Sequence, residues 1–492
     1  MTVLQSSRLY PTGRILGGSG FEIRRVTADS RDVRNGDVFF AIRGTVTDGH
    51  DCIHDAIQAG CAGIVAEREV QASIPVCVVD CSRTAFARAC MALAFPNGYP
   101  PVSCGITGTN GKTTTTWMLR SIIEQSGVQC GLLGTIQNHN GLESVPATMT
   151  TLPADQLATA FQTMAAAGTT HCVLEVSSHA LDQRRAAAVP LSAAGLTNIT
   201  QDHLDYHQTR DAYIESKLQI ADLLEPGAPL ILNTTNDVCA QMNDRLSCST
   251  PVITCAVGGR PADNTAAVVR QNHRSQNVRI TLSHTELDVR LKLIGRHNAE
   301  NALLAAVMAD ALRIAPEHIV SGLEQLESVP GRLQRLRTDQ PYQVFVDYAH
   351  TPDAISHAVS TVRECVPGRV ICMFGAGGNR DVSKRPLMGQ AAALADVCVV
   401  TSDNPRSESP HEIIDQIISG MPATCSPLVE PDRRTAIQLA IQQAQPGDAV
   451  LICGKGHESV QIVGTQRHEF NDCLTAEAVL KELSSPRMRY SA

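Results

Sequence analysis

The most constraining feature of this sequence is residues 104–114, where an apolar strand-like run passes through a glycine-rich turn into a helix-like run. The segment reads Cys-Gly-Ile-Thr-Gly-Thr-Asn-Gly-Lys-Thr-Thr. This order is typical of a phosphate-binding loop, because backbone N–H groups and a helix N-terminus then face the phosphate oxygens. We therefore predict nucleotide binding by Gly108, Thr109, Asn110, Gly111, Lys112, Thr113 and Thr114.

Within this loop, Lys112 would reach the terminal phosphates and the Thr113 hydroxyl would ligate Mg²⁺. The common form of the motif places its first glycine where this chain has Ile106, and the sequence offers Gly105 or Gly108 instead. The loop is therefore a variant of the motif. The structural alternative is a glycine-rich strand-to-helix turn that binds no ligand.

Length and composition limit the classes of protein that this chain can be. Its 492 residues are enough for about three domains. A net charge of −8 without a basic run disfavours a nucleic-acid or anionic-membrane surface. The 17 cysteines are scattered, often in apolar runs, which is typical of reduced core thiols. Since no apolar stretch has the length of a signal peptide or membrane span, we expect a cytoplasmic protein without membrane insertion.

Two breaks rich in proline and glycine divide the sequence. The first is Phe95-Pro96-Asn97-Gly98-Tyr99-Pro100-Pro101, and the second is Val329-Pro330-Gly331-Arg332. Proline lacks a backbone donor and restricts the residue before it, so regular structure ends at such breaks. We therefore predict domains over residues 1–100, 101–333 and 334–492.

Short apolar runs alternate with helical patterns in the second and third segments. Residues 102–106 precede a helical pattern, and the runs 369–374, 397–401 and 449–453 each precede a polar, glycine-rich turn. The alternation predicts an α/β fold in which a mainly parallel sheet carries helices on its faces. Because open α/β sheets bind ligands beyond the carboxyl ends of their strands, these turns are expected ligand sites.

Two polar residues of the second segment follow buried-type strands. Glu175 ends an apolar run and offers a ligand for a hard cation beside Thr113; its alternatives are a solvated cap or half of an ion pair. His203 lies in residues 202–207, which contain two histidines and two aspartates in a spacing unlike a zinc signature. It fits a nucleotide and Mg²⁺ site, or else a polar loop that caps a helix.

Two further residues have both a functional and a structural interpretation. Asn298 lies at the start of a predicted helix, where it either contacts a nucleotide base or ribose or merely caps the helix. Lys217 lies in the run Tyr213-Ile214-Glu215-Ser216-Lys217-Leu218. The residues alone predict that Lys217 is a lysine on a helix surface.

Taken in order, these segments resemble the Mur ligase superfamily, whose ATP-dependent enzymes add amino acids to the cell-wall precursor. The resemblance covers essentially the whole chain and implies an N-terminal uridine-nucleotide-binding α/β domain, a central ATP-binding domain and a Rossmann-like C-terminal domain for the amino acid. We also expect a monomer. Beyond the phosphate loop and Glu175, the motifs that carry the resemblance are Asp29-Ser30-Arg31, Asp347-Tyr348-Ala349-His350-Thr351-Pro352 and Gly375-Ala376-Gly377-Gly378-Asn379-Arg380-Asp381.

The run Asp403-Asn404-Pro405-Arg406 is similar to the pattern of superfamily members that take meso-diaminopimelate. The far end of that amino acid carries a carboxylate, which a guanidinium binds with two parallel hydrogen bonds, and an ammonium, which needs an acceptor. The resemblance implies that Arg406 and Arg380 hold the carboxylate and that Gly454 and Glu458 complete the site.

The resemblance also implies sites for the other substrate groups. The uridine nucleotide would bind at Ala28, Ser30, Thr45, Val46 and Thr47. The muramoyl dipeptide would bind at Thr150, Thr151, Ser177, Gln183 and Arg185. Lys217 aligns with a lysine that relatives carry as a CO₂-derived carbamate, so Mg²⁺ would be held by Thr113, Glu175, His203 and this carbamate. The chain departs from the pattern at Met149, Ala376 and Asn379, where relatives have asparagine, cysteine and aspartate.

By this resemblance the chain would be a ligase that uses ATP and Mg²⁺ to join meso-diaminopimelate to UDP-N-acetylmuramoyl-L-alanyl-D-glutamate through an acyl phosphate. Its catalytic residues would be Lys112, Glu175, His203 and Lys217. One alternative is a folylpolyglutamate-synthase-like ligase, which the Asp-Ser-Arg and Asp-Asn-Pro-Arg runs argue against. Another is a nucleotide-controlled binding protein without ligase activity.

Overall fold

The structure is a computed structural model that describes residues 3–44, 46–96, 98–200, 202–246, 250–337 and 339–484. Thr45, one of the predicted uridine-binding residues, lies outside the described residues. The chain divides into two compact units. The first comprises Met1–Thr265, Leu282–Thr285 and Glu300–Gly322, and the second comprises Ala266–Thr281, Glu286–Ala299 and Leu323–Ala492.

The first unit begins with a five-stranded sheet in the order β2-β7-β6-β5-β4. Strands β4 to β7 are parallel, and β2 runs antiparallel to β7 at one edge. Alternate residues of β5 pack in two separate hydrophobic cores, so this strand is buried on both faces. The elements are β1 (Leu4–Gln5), α1 (Ser6–Leu9), β2 (Arg14–Leu16), β3 (Glu22–Ile23), β4 (Val26–Thr27), β5 (Val38–Phe40), α2 (Ile53–Gln58), β6 (Gly63–Ala66), β7 (Val76–Val78) and α3 (Ser82–Ala94).

A larger sheet follows in the first unit, with the order β11-β10-β9-β12-β8-β13-β14-β15. From β9 to β15 all neighbouring strands are parallel, and β10 and β11 add an antiparallel edge. The predicted mainly parallel sheet is therefore confirmed. Its elements are β8 (Val102–Thr107), α4 (Lys112–Gln125), β9 (Cys130–Leu133), β10 (Gln137–His139), β11 (Ser144–Pro146), α5 (Ala154–Ala166), β12 (His171–Glu175), α6 (Ser178–Asp182), β13 (Leu191–Leu196), α7 (Leu204–His207), α8 (Arg210–Leu218), β14 (Leu230–Asn233), α9 (Asp237–Met242) and β15 (Val252–Val257).

The chain then forms three strands and two helices before its last sheet, whose order is β19-β20-β24-β21-β22-β23. All neighbours from β20 to β23 are parallel, and β25 and β26 form a separate antiparallel pair. The elements are β16 (Asn264–Gln271), β17 (Gln276–Leu282), β18 (Thr285–Leu291), α10 (Arg296–Ala311), α11 (Pro316–Gln325), β19 (Gln334–Arg335), β20 (Gln343–Asp347), α12 (Pro352–Cys365), β21 (Val370–Phe374), α13 (Lys384–Ala392), β22 (Val397–Val400), α14 (Pro410–Ile418), β23 (Leu428–Val429), α15 (Arg433–Gln442), β24 (Ala449–Cys453), β25 (Val460–Val463), β26 (Gln466–Glu469) and α16 (Asp472–Ser484).

The register of the large parallel sheet sets the position of the predicted phosphate loop. Glu175 at the end of β12 pairs with Ile106 of β8, and Leu196 at the end of β13 pairs with Thr107 of β8. The three strands therefore end at the same edge of the sheet. This edge brings together the loop after β8, the carboxylate of Glu175 and the segment after β13.

The described cysteines are all free, and most of them are buried, as the sequence predicted. Among the described residues no helix is both long and apolar enough to cross a membrane.

Candidate functional site

The loop between β8 and α4 has a backbone that requires glycine at two positions. Gly108 has φ +142°, and a Cβ there would overlap the hydroxyl of Thr197. Gly111 has φ +89° and stands directly before the first residue of α4, where it provides no capping side chain. L residues rarely adopt such φ angles. The helix N-terminus therefore faces the loop as a site with positive partial charge, suited to phosphate.

The segment after β13 holds this loop in place. The carbonyl of Asn198 accepts a 2.8 Å hydrogen bond from the Thr109 N–H, and its side-chain oxygen accepts a 2.9 Å bond from the Asn110 N–H. The Thr197 hydroxyl donates to the Asn110 carbonyl at 2.6 Å. The sequence analysis assigned no role to Asn198. The sequence did offer one signal for a role of Asn198, namely its position directly after a buried strand.

Glu175 is buried at the end of β12, and its carboxylate is fully engaged by neutral donors. It accepts hydrogen bonds from the Thr113 hydroxyl at 3.0 Å, the Thr135 hydroxyl at 2.8 Å and the Thr135 N–H at 2.9 Å. It is therefore neither a solvated cap nor half of an ion pair. A carboxylate beside a hydroxyl is a suitable ligand set for a hard cation such as Mg²⁺.

No group of three or more His, Cys, Asp or Glu side chains suited to a metal ion occurs in the described part of the chain. At this edge of the sheet one carboxylate and one hydroxyl, those of Glu175 and Thr113, are in direct contact. Such a set leaves most positions around a hard cation to phosphate and water oxygens, as is usual for Mg²⁺ in nucleotide enzymes.

Lys112 and Lys217 both donate to the carbonyl of Gly108, at 2.9 and 2.8 Å. Lys217 is only 1% exposed and its amine lies 4.5 Å from the centre of the Tyr213 ring. Burial lowers the pKa of Lys217 well below its usual value, and the charge of Lys112 lowers it further. The prediction of a lysine on a helix surface, made from the residues alone, is therefore wrong. Lys217 is a buried amine whose charged form is disfavoured by its surroundings.

His203 lies beside these lysines in a backbone conformation that is uncommon for an L residue, with φ +53°. Its ring makes an edge contact with His179, with centroids 4.8 Å apart. Burial lowers the pKa of His203 to about 4, and Lys112 and Lys217 contribute to this shift. At neutral pH the imidazole is thus uncharged, which is the form that can ligate a metal.

Four of the predicted dipeptide-binding residues form one hydrogen-bonded network. The Thr151 hydroxyl donates to the Glu175 carbonyl at 2.9 Å and accepts from the Ser177 N–H at 3.0 Å. Arg185 donates to the Thr151 carbonyl at 3.0 Å and to the side-chain oxygen of Gln183 at 2.7 and 3.0 Å. The structure therefore brings together residues that are up to 34 positions apart in sequence.

The fifth of these residues, Thr150, joins the same network through a residue that the sequence analysis missed. Its hydroxyl oxygen accepts a 3.1 Å hydrogen bond from the hydroxyl of Thr135, which also bonds Glu175. Met149, one of the departures from the family pattern, places its sulfur 3.3 Å from the Arg185 guanidinium. A thioether is a weak acceptor, so this arginine loses a strong partner at that position.

The described uridine-site residues lie in two turns of the N-terminal sheet region. Ala28 follows β4, and Ser30 begins a short 3-10 helix that the carboxylate of Asp29 caps. Val46 is exposed, and the carbonyl of Thr47 accepts a 2.9 Å hydrogen bond from the Gly44 N–H. The exposed Val46 leaves the second of these turns open to a ligand.

In the second unit, Asp403 and Asn404 follow β22 and are buried. The side-chain oxygen of Asn404 accepts from Lys455 at 3.1 Å and its amide donates to Glu458 at 3.0 Å. Lys455 is fully buried and also donates to Glu458 at 3.1 Å. Burial raises the pKa of Asp403, although the neighbouring cations Arg433 and Lys455 oppose this shift. Lys455 is a central member of this cluster that the sequence analysis did not select.

Gly454 and Pro405 shape the backbone around that cluster. Gly454 has φ +116°, and a Cβ there would lie 2.6 Å from a carboxylate oxygen of Asp403. Pro405 is buried, and its carbonyl lies against Gly378 so closely that only glycine fits there. The runs around Gly378, Pro405 and Gly454 thus meet at the carboxyl end of the last sheet.

The two predicted carboxylate-binding arginines also come together in this place. A Cβ on Gly377 would lie 3.1 Å from a guanidinium nitrogen of Arg406 and 3.6 Å from Cγ of Arg380. Arg406 has φ +53° and donates to the Gly378 carbonyl at 2.7 Å. Neither arginine forms an ion pair in the described part of the chain. Their guanidinium groups therefore remain suited to an external anion.

Asn298 also lies in the second unit, on α10. It is buried and its amide donates to the Ile294 carbonyl at 2.8 Å. This bond is with the preceding turn and is not an N-cap, in which the side chain would accept from a backbone N–H, so the predicted role of Asn298 stays a prediction.

Comparison with known proteins gives matches along most of the chain. Residues 22–89 match the catalytic domain of the Mur ligase family, residues 106–309 the Mur ligase middle domain, and residues 331–456 the Mur ligase glutamate ligase domain. These three segments contain, in order, the uridine-site turns, the phosphate loop with Glu175, and the cluster around Asp403 and Arg406.

The chain is similar over nearly its whole length to curated relatives. It is 38% identical to the UDP-N-acetylmuramoyl-L-alanyl-D-glutamate–2,6-diaminopimelate ligase of Geobacillus kaustophilus over 94% of this chain and 96% of that relative. The enzyme of the same name from Geobacter metallireducens is 38% identical over 95% of this chain and 96% of that relative. A solved structure of a ligase of this name superposes with a TM-score of 0.72 at 28% identity, covering 98% of this chain and 100% of that one. The similarity confirms the predicted α/β fold class.

Proposed function

The chain belongs to the Mur ligase family, and we propose from this premise that it joins meso-2,6-diaminopimelate to UDP-N-acetylmuramoyl-L-alanyl-D-glutamate at the expense of ATP. The observation that carries the proposal is the convergence of Asp403, Asn404 and Arg406 with Glu458 and Arg380 at one sheet edge. This cluster offers both guanidinium groups for a carboxylate and carboxylates for an ammonium, as the far end of diaminopimelate requires. The product is a precursor of peptidoglycan.

We keep the three-domain division at residues 1–100, 101–333 and 334–492 as part of this proposal. Two of the matched family segments lie within the first and second of these domains, and the third begins at residue 331, three residues before the third domain. In this division the first domain binds the uridine nucleotide, the second binds ATP and the third binds the amino acid. The enzyme is proposed to work in the cytoplasm, as a monomer, on small-molecule substrates.

The first chemical step is the attack of the substrate's glutamate carboxylate on the γ-phosphorus of ATP. This attack breaks the bond to ADP and forms an acyl phosphate. The backbone N–H groups of residues 108–114 and the N-terminus of α4 face the phosphate chain. Lys112 now bonds the carbonyls of Gly108 and Thr109, so it exchanges these neutral partners for phosphate oxygens when ATP binds.

Thr113, Glu175 and His203 would hold Mg²⁺, which as a Lewis acid supplies positive charge to the transferring phosphoryl group. The carboxylate and the hydroxyl are already 3.0 Å apart, and the histidine is uncharged at neutral pH. Thr135 orients the carboxylate from its other side through two hydrogen bonds.

Lys217 is proposed to react with CO₂ to form a carbamate. An amine attacks CO₂ only in its neutral form and releases one proton, and burial shifts the pKa of Lys217 downward, in favour of that form. The modification replaces a buried potential cation by an anion with oxygen atoms, which suits a site that attracts Mg²⁺. It also removes the repulsion between Lys217 and Lys112.

In the second step the free amine of diaminopimelate attacks the carbonyl of the acyl phosphate. A tetrahedral intermediate forms, loses phosphate and leaves an amide. The proposed role of Arg406 and Arg380 is to bind the distant carboxylate, while Glu458 and Asp403 face the distant ammonium. These residues position the amino acid and do not exchange protons with the reacting atoms.

The test is phosphate release from ATP with UDP-N-acetylmuramoyl-L-alanyl-D-glutamate and either meso-diaminopimelate, L-lysine or no amino acid. Release with diaminopimelate alone, together with a tripeptide product, is the expected result. Release with lysine would overturn the specificity but keep the ligase reaction. Turnover of a folate acceptor, or tight ATP binding without any turnover, would favour the two alternatives considered above. Lys112→Ala is the control, since it should abolish ADP formation.

A further inference from the structure

Two arginines near the proposed donor site, Arg83 and Arg185, have no acidic partner. Arg83 donates to the carbonyl of Arg43 at 2.8 Å, and Arg185 bonds Gln183 and the Thr151 carbonyl. Neither forms an ion pair with any carboxylate in the described part of the chain. Both side chains are only partly exposed. Partly buried cations without counterions are costly, so such an arrangement points to an anion supplied from outside.

The packing of two helices brings these arginines towards each other. Helices α3 and α5 pack together and run in the same direction: the amide of Gln162 in α5 donates to the carbonyl of Ala94, the last residue of α3, at 3.2 Å. Burial raises the pKa of the Cys90 thiol in α3 to about 12. The carboxylate of Asp155, in the first turn of α5, adds to this effect, so the start of α5 lies near Cys90. Arg83 lies about two helical turns before Cys90 in α3. Because the two helices run in the same direction, Arg83 lies beyond the N-terminal end of α5.

The segment in front of α5 contains Thr151, whose carbonyl binds Arg185. Arg83 and Arg185 therefore belong to neighbouring segments of the first unit. Burial is the main reason that the pKa of Arg185 is lowered, and the charge of Arg83 lowers it further. Two arginines on neighbouring segments, neither of them paired with a carboxylate in the described part of the chain, suit a group with more than one negative charge.

We infer that Arg83, acting beside Arg185, binds the diphosphate of the donor substrate. The inference rests on the proposed function for the identity of that substrate. Arg83 lies between two proposed subsites: its partner Arg43 precedes the uridine-binding turn at residues 45–47, and Arg185 belongs to the dipeptide network. In the substrate the diphosphate lies between the uridine and the sugar that carries the peptide. Guanidinium groups suit phosphate because each can donate two parallel hydrogen bonds.

The other arginines near Arg43 differ from Arg83 because they have a carboxylate. Arg43 itself and Arg68 face Asp48, at 3.9 and 3.6 Å. Arg88, on the same helix as Arg83, is exposed and offers a matched control. The inference therefore concerns Arg83 and does not extend to every arginine of this surface.

The experiment measures binding of UDP and of UDP-N-acetylmuramoyl-L-alanyl-D-glutamate by titration calorimetry to the wild type, Arg83→Ala, Arg83→Lys and Arg88→Ala. Loss of a charge-assisted hydrogen bond should weaken the binding of both ligands to Arg83→Ala by about 10- to 100-fold. Arg83→Lys should be intermediate and Arg88→Ala unchanged. Added salt should weaken binding more steeply in the wild type than in Arg83→Ala. Circular dichroism and the KM for ATP should not change.

Unchanged affinity of Arg83→Ala for both ligands overturns the inference, and weakened binding of the dipeptide substrate alone overturns the assignment to the diphosphate. If Arg83→Ala fails to fold, Arg83→Gln replaces it, with the same expectations. Phosphate release by the wild type separates the two proposals. A wild type that binds UDP through Arg83 but releases no phosphate with diaminopimelate keeps the diphosphate site and rejects the ligase assignment. A wild type that binds neither ligand rejects both.

Discussion

Thr135 connects two proposed subsites, since its hydroxyl donates to Glu175 at 2.8 Å and its oxygen lies 3.1 Å from the hydroxyl of Thr150. Its N–H also donates to Glu175 at 2.9 Å. One residue thus orients the proposed Mg²⁺ ligand and touches the proposed dipeptide site. A hydroxyl shared in this way links the position of the carboxylate to the position of the substrate that is to be phosphorylated.

We expect Thr135→Val to weaken both Mg²⁺ use and dipeptide binding. The substitution keeps the shape but removes the donor to a buried carboxylate, a loss of about 1.5–3 kcal/mol. The Mg²⁺ concentration for half-maximal activity and the KM for the dipeptide substrate should both rise by about tenfold or more. Thr135→Ser should restore both values. Thr159→Val, on the surface of α5, is the control variant. Binding of Mn²⁺, measured directly in the absence of turnover, gives a second readout of the metal site.

Lys217→Ala should lose activity on the order of 100-fold, because a charged group acting on the phosphoryl site is removed. Short carboxylic acids such as acetate should restore part of the activity by occupying the place of the carbamate. Wild-type enzyme prepared without CO₂ should be slow and should recover when bicarbonate is added. A fully active Lys217→Ala enzyme would contradict the proposed carbamate. Substitution of Lys481 on α16 serves as the control.

Arg406→Ala should raise the KM for diaminopimelate and reduce the discrimination against lysine. A bidentate pair that is broken in a partly buried site costs on the order of 2–5 kcal/mol. The ATP dependence should stay unchanged, because the proposed role of Arg406 is to bind the amino acid and not the nucleotide. The comparison with Arg434→Ala, an exposed arginine of the same unit, separates recognition from a general loss of positive charge. Unchanged use of diaminopimelate would show that the carboxylate is bound elsewhere.

Asp448→Asn should lower stability in a manner that depends on pH. Asp448 is desolvated, but its hydrogen bonds with Arg369 and the Gln445 N–H outweigh this and lower its pKa. A carboxylate with a lowered folded pKa stabilises the protein above the unfolded pKa of about 3.9, and this contribution disappears as the pH falls through the folded pKa. The thermal midpoint of Asp448→Asn should therefore lie below the wild type at pH 7 and approach it in acid. The exposed Asp415→Asn should match the wild type throughout.

The sequence predicted the parts of this structure that depend on local pattern. Apolar runs bounded by glycine and proline located the strands before the phosphate loop and in the last sheet, since each strand is buried on both faces and its residues are almost all apolar. The run 449–453 agrees in both bounds with β24, and the run 102–106 is one residue shorter than β8. The pattern that predicts such a strand is carried by consecutive residues, so it can be recognised in the sequence without knowledge of the tertiary structure.

Other features had no local signal. Lys217 was predicted to lie on the surface of α8, yet it is buried and its partner is a carbonyl 109 positions away. Thr135 and Glu175 are 40 positions apart, and Asn198 and Asn110 are 88 apart. Hydrogen bonds of this kind depend on how strands are ordered in the sheet. The family resemblance supplied some of these residues, but not Thr135, Asn198 or Lys455.

By itself, the sequence determined that the chain forms α/β structure with a glycine-rich loop between a strand and a helix. The reason is that the periodicity of apolar side chains, the φ angles open to glycine and the breaks caused by proline all depend on residues that are close in sequence. Only the tertiary structure decided which carbonyl, hydroxyl or cation each polar side chain meets. The parallel order β12-β8-β13 brings Glu175, the Gly108 loop and Asn198 to one edge. Lys217 is buried beside that loop, and this burial, which residue type does not reveal, lowers its pKa.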